Sequence, residues 1–293
     1  MSVLCPFSTV DYLHGLSNIG NVDQHAVLPV AVLRRKIYGT CNFDGVGPWP
    51  YRWIADESDI EVFTEGFRHL VTLCIVTHPG WKPSNAHEKK VNIRPLKDHF
   101  VFDPGKPTPQ LSRRAVKRLK SAGNRGIFEV IISKPEQQKI AGLYEQLKLR
   151  RNLTGGYFDM SAKHFDSITR LSGAVFFRVK DSNDMGAMAC GVIINEFLQI
   201  LHIVPTDYGL NWNASYLMMH GLQEYVRHQG LILLTGGMPA RGSAGLSIFK
   251  NRWANAFLPV QMLCIVNDRA TAAKLVFEYG DHPDYFPNYR NGT

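Results

Sequence analysis

The stretch 174–234 constrains the fold more than any other part of the chain. It reads as three strands in series, 174–180, 185–194 and 197–204, then a long helix over 214–229, then a fully apolar strand over 231–234. The first two strands are joined by Asp181-Ser182-Asn183-Asp184 and the next two by Asn195-Glu196. Asn and Asp suit tight turns, because their side chains bond the local backbone and tolerate left-handed dihedrals. Strands joined so briefly form an antiparallel meander. The helix carries Met218, Leu222, Tyr225 and Val226 on one side and stops at Gly230, a residue suited to the left-handed turn after a helix.

The 293 residues are enough for one large core or two modest ones, and usual domain sizes favour two. The stretch Asp103-Pro104-Gly105-Lys106-Pro107-Thr108-Pro109 can continue neither a helix nor a central strand. It reads as the connection between two lobes, 1–104 and 105–293. In the first, 28–36 and 73–76 read as strands and 59–70 as a helix with Ile60, Phe63, Phe67 and Leu70 at helical spacing. In the second, Ser112 reads as the N-cap of a basic helix ending near Gly123. There 128–132 reads as a strand. Pro135 opens a helix with Ile140, Leu143, Tyr144 and Leu147 as its stripe, and another helix covers 161–171. After the apolar strand come Gly236-Gly237, a segment through Arg241, a strand over 257–266 and a helix over 269–279. The fold class is α/β (α+β), with mixed, mostly antiparallel sheets flanked by helices.

Several classes are excluded. No apolar run reaches the roughly 20 residues of a membrane helix. The first 20 residues lack a basic start followed by an apolar run, so no secretory signal is read there. The five cysteines are scattered, with no Cys-x-x-Cys pair and no cluster at zinc spacing. The expectation is a reduced, cytoplasmic protein without a bound metal. Gly-x-Ser-x-Gly, a Walker-type loop and His-Glu-x-x-His are all missing. An enzyme without such a motif works by positioning and electrostatics.

The net charge is +8, and its excess is concentrated. Between Lys89 and Arg125 the only acids are Asp98 and Asp103. A basic surface of this kind attracts polyanions such as RNA or a phosphorylated substrate; the alternative is a solvated helix face. Arg113, Arg114 and Lys117 are the first choice for phosphate contacts, with Arg113 and Lys117 one turn apart.

The order of elements over 197–260 resembles that of the GNAT acyltransferases, and over 95–265 it is similar to the Fem-like branch. The resemblance rests on the basic helix opening with Ser112-Arg113-Arg114-Ala115-Val116-Lys117, the long helix, the strand with Gly236-Gly237, and Gly245-Leu246-Ser247-Ile248-Phe249-Lys250 before the next strand. It implies tandem GNAT-like lobes, the first degenerate and the second catalytic. It also implies an aminoacyl-tRNA donor, an amine acceptor in a cleft and no tightly bound cofactor. The lysine of the Phe-Lys element, here Lys250 beside Phe249, would stabilise the oxyanion of the tetrahedral intermediate. Acyl-CoA is the alternative donor. CoA-dependent members cradle a diphosphate on a glycine-rich turn at the start of the long helix. Here that stretch is Asp207-Tyr208-Gly209-Leu210-Asn211-Trp212-Asn213-Ala214, with a bulky Trp212 and two asparagines in place of small residues.

Other candidates follow from position. His202 lies on the strand before the long helix, where it could accept a proton from the acceptor; the alternative is a satisfied core histidine. Tyr208, Asn211 and Asn213 could line the donor cleft or form a polar turn. Arg241 could hold a phosphate or carboxylate. Trp49 and Tyr51 could line an acceptor pocket or pack between lobes.

Overall fold

The structure is a computed structural model that describes residues 5–55, 57–84, 91–237 and 244–290. Contacts divide the chain into two compact units, one within 1–97 and 259–293, the other within 98–258.

The first unit begins with α1 (Val10–His14), capped by the Thr9 side chain, which accepts from Tyr12 N. There follow β1 (Asn21–Gln24), β2 (Ala31–Lys36), β3 (Phe43–Val46), α2 (Glu57–Gly66) and β4 (Thr72–Val76). The spacing of apolar residues extends the α2 pattern to Leu70, but the helix ends at Gly66. Phe67 and Leu70 stay in the core from the turn that follows.

The second unit takes the end of β5 (Asn92–Phe102). It continues with α3 (Arg113–Gly123), β6 (Ile127–Ile131), α4 (Lys134–Arg151), α5 (Ala162–Thr169), β7 (Ala174–Lys180), β8 (Met185–Ile194) and β9 (Phe197–Pro205). Then come α6 (Asp207–Asn211), α7 (Ala214–Gln229), β10 (Ile232–Gly237) and α8 (Ala244–Trp253). The Ser112 side chain accepts from Ala115 N at 3.4 Å, as an N-cap does. Strands β6 to β9 form the antiparallel meander. Its core is sealed by α7, whose Leu217, Met218, Leu222 and Val226 are buried with Phe177, Ala189, Leu198 and Leu233. Each such aliphatic side chain contributes about 1.5–3 kcal/mol by leaving water.

The chain then runs through β11 (Ala256–Val266) and α9 (Arg269–Tyr279). Residues 262–266 of β11 pair antiparallel with β4, from Met262–Val76 to Val266–Thr72. The proline-rich joint therefore falls inside the second unit, and β11 from residue 259 onward belongs with α9 to the first. This differs from boundaries placed at 104 and 105, because a strand is assigned by its ladder rather than by its place in sequence.

The two units share one strand pattern. In the first the order is β1-β2-β3-β4-β11, and in the second it is β6-β7-β8-β9-β10-β5 read from the opposite edge. In each, one parallel pair sits among antiparallel ones, β3 with β4 and β9 with β10.

Candidate functional site

Strands β9 and β10 pair at Phe197–Ile232, Leu198–Leu233 and Gln199–Leu234, and there the pairing stops. Two local causes are visible. Cys190 faces His202 while Gly191 faces Ile200, so Leu201 is an extra residue in β9. Such a bulge bends the strand and increases its twist. On the other side, β10 shifts register against β5 between Leu234 and Gly237. Gly236 lies in that shift with φ 78°, a value that favours glycine.

Beyond Gln199 the two strands part, and a groove of about 650 Å³ opens there. Residues Leu201, Ile203 and Pro205 of β9 and Thr235 of β10 line it. Asn213, Ser215 and Tyr216 bring the start of α7 to it, and Leu246, Ile248, Phe249 and Lys250 bring α8. Arg118, Arg151 and Arg252 complete its charge. Among the described residues that line it, none is Asp, Glu or His. Arg241 lies outside the described residues, and the segment 238–243 that contains it has no acid either.

Lys250 reaches this groove because α8 is anchored by aromatic packing beside it. Phe249 meets the Tyr216 ring edge-on at 5.7 Å and Trp253 at 6.4 Å. Gln223 on α7 donates from Nε2 to Trp253 O at 2.8 Å. Lys250, one residue past Phe249, therefore faces β10 and donates from Nζ to Gly237 O at 3.0 Å. A Cβ on Gly236 would stand 3.5 Å from that nitrogen. The glycine pair thus presents a carbonyl to the ammonium.

Tyr216 holds a second arrangement. Its hydroxyl accepts from Arg118 Nη1 at 3.0 Å and from Arg252 Nη1 at 2.6 Å. Two guanidiniums that share one acceptor lie close enough for their like charges to repel. Arg118 sits at the edge of the buried stripe of α3, next to Ala115, Leu119 and Ala122.

Other expected residues lie elsewhere. His202 is buried and does not line the groove; its Nε2 is 2.9 Å from His164 Nε2. Burial pushes His164 down to about 3 and, with His164 beside it, holds His202 well below its ordinary range. This is the core-histidine alternative, and it arises because the bulge at Leu201 turns His202 towards α5. Tyr208 is drawn into a separate cluster: it donates to Asp181 Oδ2 at 2.5 Å and accepts from Arg125 Nη2 at 2.7 Å. Asn211 is exposed at the end of α6 and does not line the groove, whereas Asn213 lines it with φ 65°. The Trp212 ring turns inward: a methyl at Gly186 would be 2.4 Å from its Cζ2. Its bulk therefore does not fill the turn. Tyr51 is fully buried, with its ring edge-on to Phe7 at 5.4 Å, so it belongs to the first unit's core and not to a pocket wall. Trp49 is half-buried in the same unit. Arg113, Arg114 and Lys117 are exposed on α3.

Sequence reasoning missed Arg118, Arg151, Tyr216 and Arg252 as groove residues. Arg118 is hidden among its basic neighbours, and Tyr216 reads as one more residue of the apolar face of α7.

Comparison with solved structures places this geometry. FemX has a TM-score of 0.59 at 13% identity, covering 90% of this chain and 93% of that one. The chain has the fold of FemX, as the Fem-like resemblance implies. The C-terminal domain of a protein from Agrobacterium fabrum assigned as lysylphosphatidylglycerol synthetase has a TM-score of 0.60 at 11% identity, over 92% and 89% of the two chains. L-PGS from Bacillus licheniformis has a TM-score of 0.55 at 11% identity, over 92% and 91%. No protein-family model and no curated protein matches the sequence. Within this fold, the parted β9/β10 pair and the Phe249-Lys250 element occupy one groove of the second unit. Among the described residues no helix is long and apolar enough to cross a membrane, and no cluster of metal-ligating side chains occurs.

Proposed function

We propose that the chain is a Fem-like N-acyltransferase that moves an aminoacyl group from aminoacyl-tRNA to an amine, forming an amide. The observation that carries this reading is Lys250, an ammonium held at the parted strand pair in a groove with three arginines and no acid. The amine nitrogen attacks the ester carbonyl carbon, and the carbonyl π electrons move to oxygen. Lys250 donates to that oxyanion, whose charge is fully developed only around the transition state, so the contact lowers the barrier more than it tightens ground-state binding. Collapse keeps the new C–N bond and breaks the C–O bond. The ribose oxygen leaves and takes up the proton that the amine releases, directly or through solvent. No lining imidazole or carboxylate serves as base, and His202 stays in the core. Phe249 positions Lys250 through its packing on Tyr216.

In this reading the second unit is catalytic and the first is the degenerate lobe. Exposed Arg113, Arg114 and Lys117 follow the tRNA backbone, Asn213 borders the donor, and the half-buried Trp49 remains a candidate for acceptor contact. Aminoacyl-tRNA as donor places the reaction in the cytoplasm. A second reading changes only the donor, to acyl-CoA or a carrier-protein thioester. It is favoured by the N-terminus of α7 at the groove, where backbone amides suit a diphosphate.

Mass spectrometry of a primary amine incubated with the protein and a panel of charged tRNAs tests the proposal. Amide formation that ribonuclease abolishes is the expected result. Full activity with acyl-CoA after exhaustive ribonuclease treatment refutes the tRNA donor.

A further inference from the structure

We infer that Arg118, Arg252 and the Tyr216 hydroxyl form a seat for a phosphate group inside the groove. The inference rests on the groove being the donor site proposed above, and it names which part of the donor is held there. Two half-buried guanidiniums, from α3 and α8, converge on the single oxygen of a buried tyrosine. Among the described residues neither has a carboxylate partner, and the phenol's own hydrogen has no acceptor.

A second cluster in the same unit shows what a completed version looks like. Arg125 donates from Nη2 to Tyr208 Oη at 2.7 Å and from Nε to Asp181 at 2.9 Å, and Tyr208 donates to Asp181 at 2.5 Å. There the tyrosine hydrogen and the arginine charge both end on an acid. At Tyr216 the cations are doubled and no acid joins them among the described residues, so an anion from outside would complete the cluster.

Its chemistry favours phosphate over carboxylate. Two guanidinium forks approach from different helices and a hydroxyl adds a third direction. A tetrahedral phosphate can accept from donors that are not coplanar, whereas a planar carboxylate matches one fork. Two sources supply this group: the phosphodiester of an RNA 3′ end and the diphosphate of a CoA thioester.

Binding to the full chain is measured with two probes, a short RNA ending in CCA and coenzyme A, over a series of salt concentrations. Arg118→Gln and Arg252→Gln are each expected to weaken at least one probe by about tenfold or more, which is about 1.4 kcal/mol. Lys163→Gln, an exposed change on α5 with the same loss of charge, is expected to change affinity less than about twofold, in the range of an isolated surface charge. For RNA the salt slope should fall by about one phosphate contact in each arginine variant. Arg252→Lys, which keeps the charge and loses the fork, should fall between parent and Arg252→Gln. Loss for RNA alone assigns the phosphodiester, and loss for coenzyme A alone assigns the diphosphate. Should a glutamine variant fail to melt cooperatively, Tyr216→Phe carries the test, with several-fold weaker binding expected. Parent-like affinity of both glutamine variants for both probes overturns the seat, as does a parent that binds neither probe. Arg118-dependent binding without any transfer from charged tRNA overturns the transfer reading and leaves the seat standing.

Discussion

Among the described residues each unit has one parallel pair of strands, and the two pairs end differently. In the first unit β3 and β4 pair at Gly45–Leu73 and Val46–Cys74. Past that point the chain stays bonded: Gly47 N donates to Cys74 O at 2.7 Å and Arg52 N to Val76 O at 2.7 Å. Tyr51 is buried there, and Arg52 donates to Ser8 Oγ and Asp59 Oδ1. In the second unit the pair ends at Gln199–Leu234, and among the described residues no backbone hydrogen bond continues the pairing. The same strand pattern therefore gives a closed wedge in one unit and an open, basic groove in the other. Backbone hydrogen bonds that continue past a parallel pair occupy the space that a substrate would otherwise use.

The largest expected effect tests the closed side. Tyr51→Ala should cost about 3–5 kcal/mol of stability, as aromatic-to-alanine changes in cores do, with kcat of the folded protein preserved. Urea unfolding and activity on one sample check it; lost activity at unchanged stability would break the comparison. On the open side, Lys250→Ala should lower kcat by about 10²–10³-fold, the range for a lost oxyanion donor. Its melting temperature should match the parent, since Lys250 is only partly buried.

Gly236→Ala sharpens the comparison at the point of parting. A side chain at φ 78° is strained, and a loss of about 1 kcal/mol is expected. A several-fold fall in kcat should accompany it as the Gly237 carbonyl shifts under Lys250. The smallest effect concerns the histidine pair behind the groove. Both folded pKa values are depressed, so the unfolded chain binds more protons once the pH falls below 6.5. Stability is complete above that pH and is lost progressively towards pH 3. His164→Asn should flatten this acid branch in melts from pH 7 to 4, with kcat at neutral pH unchanged. A shift in the pH–rate profile would instead return the His202 pair to the chemistry.

The meander, α7 and α9 were legible because each is marked by close neighbours in sequence: turn asparagines and aspartates, a helical stripe, a terminal glycine. β5 was not, since Arg94, Pro95, Lys97 and Asp98 interrupt its pattern and only its end, 99–102, is buried throughout. The α2 pattern overruns the C-terminal end of the helix by four residues, because Phe67 and Leu70 keep helical spacing while being buried by tertiary contacts. In the site, Lys250 and Phe249 came from a resemblance in element order, and the groove accommodates both. His202 and Tyr208 illustrate the opposite case. Their residue types suit catalysis, yet a bulge at Leu201 and an acid at position 181 commit them to other partners.

By itself the sequence determined the local conformations, the excess of positive charge, and the lack of any metal or nucleophile motif. These depend on backbone preferences, periodicity and composition, which near neighbours carry. Only the tertiary structure decided which cations meet. Arg118 and Tyr216 are 98 residues apart, and Tyr216 and Arg252 are 36 apart. Their convergence on one oxygen follows from how α3, α7 and α8 pack over a strand pair that parts, and no local pattern encodes that.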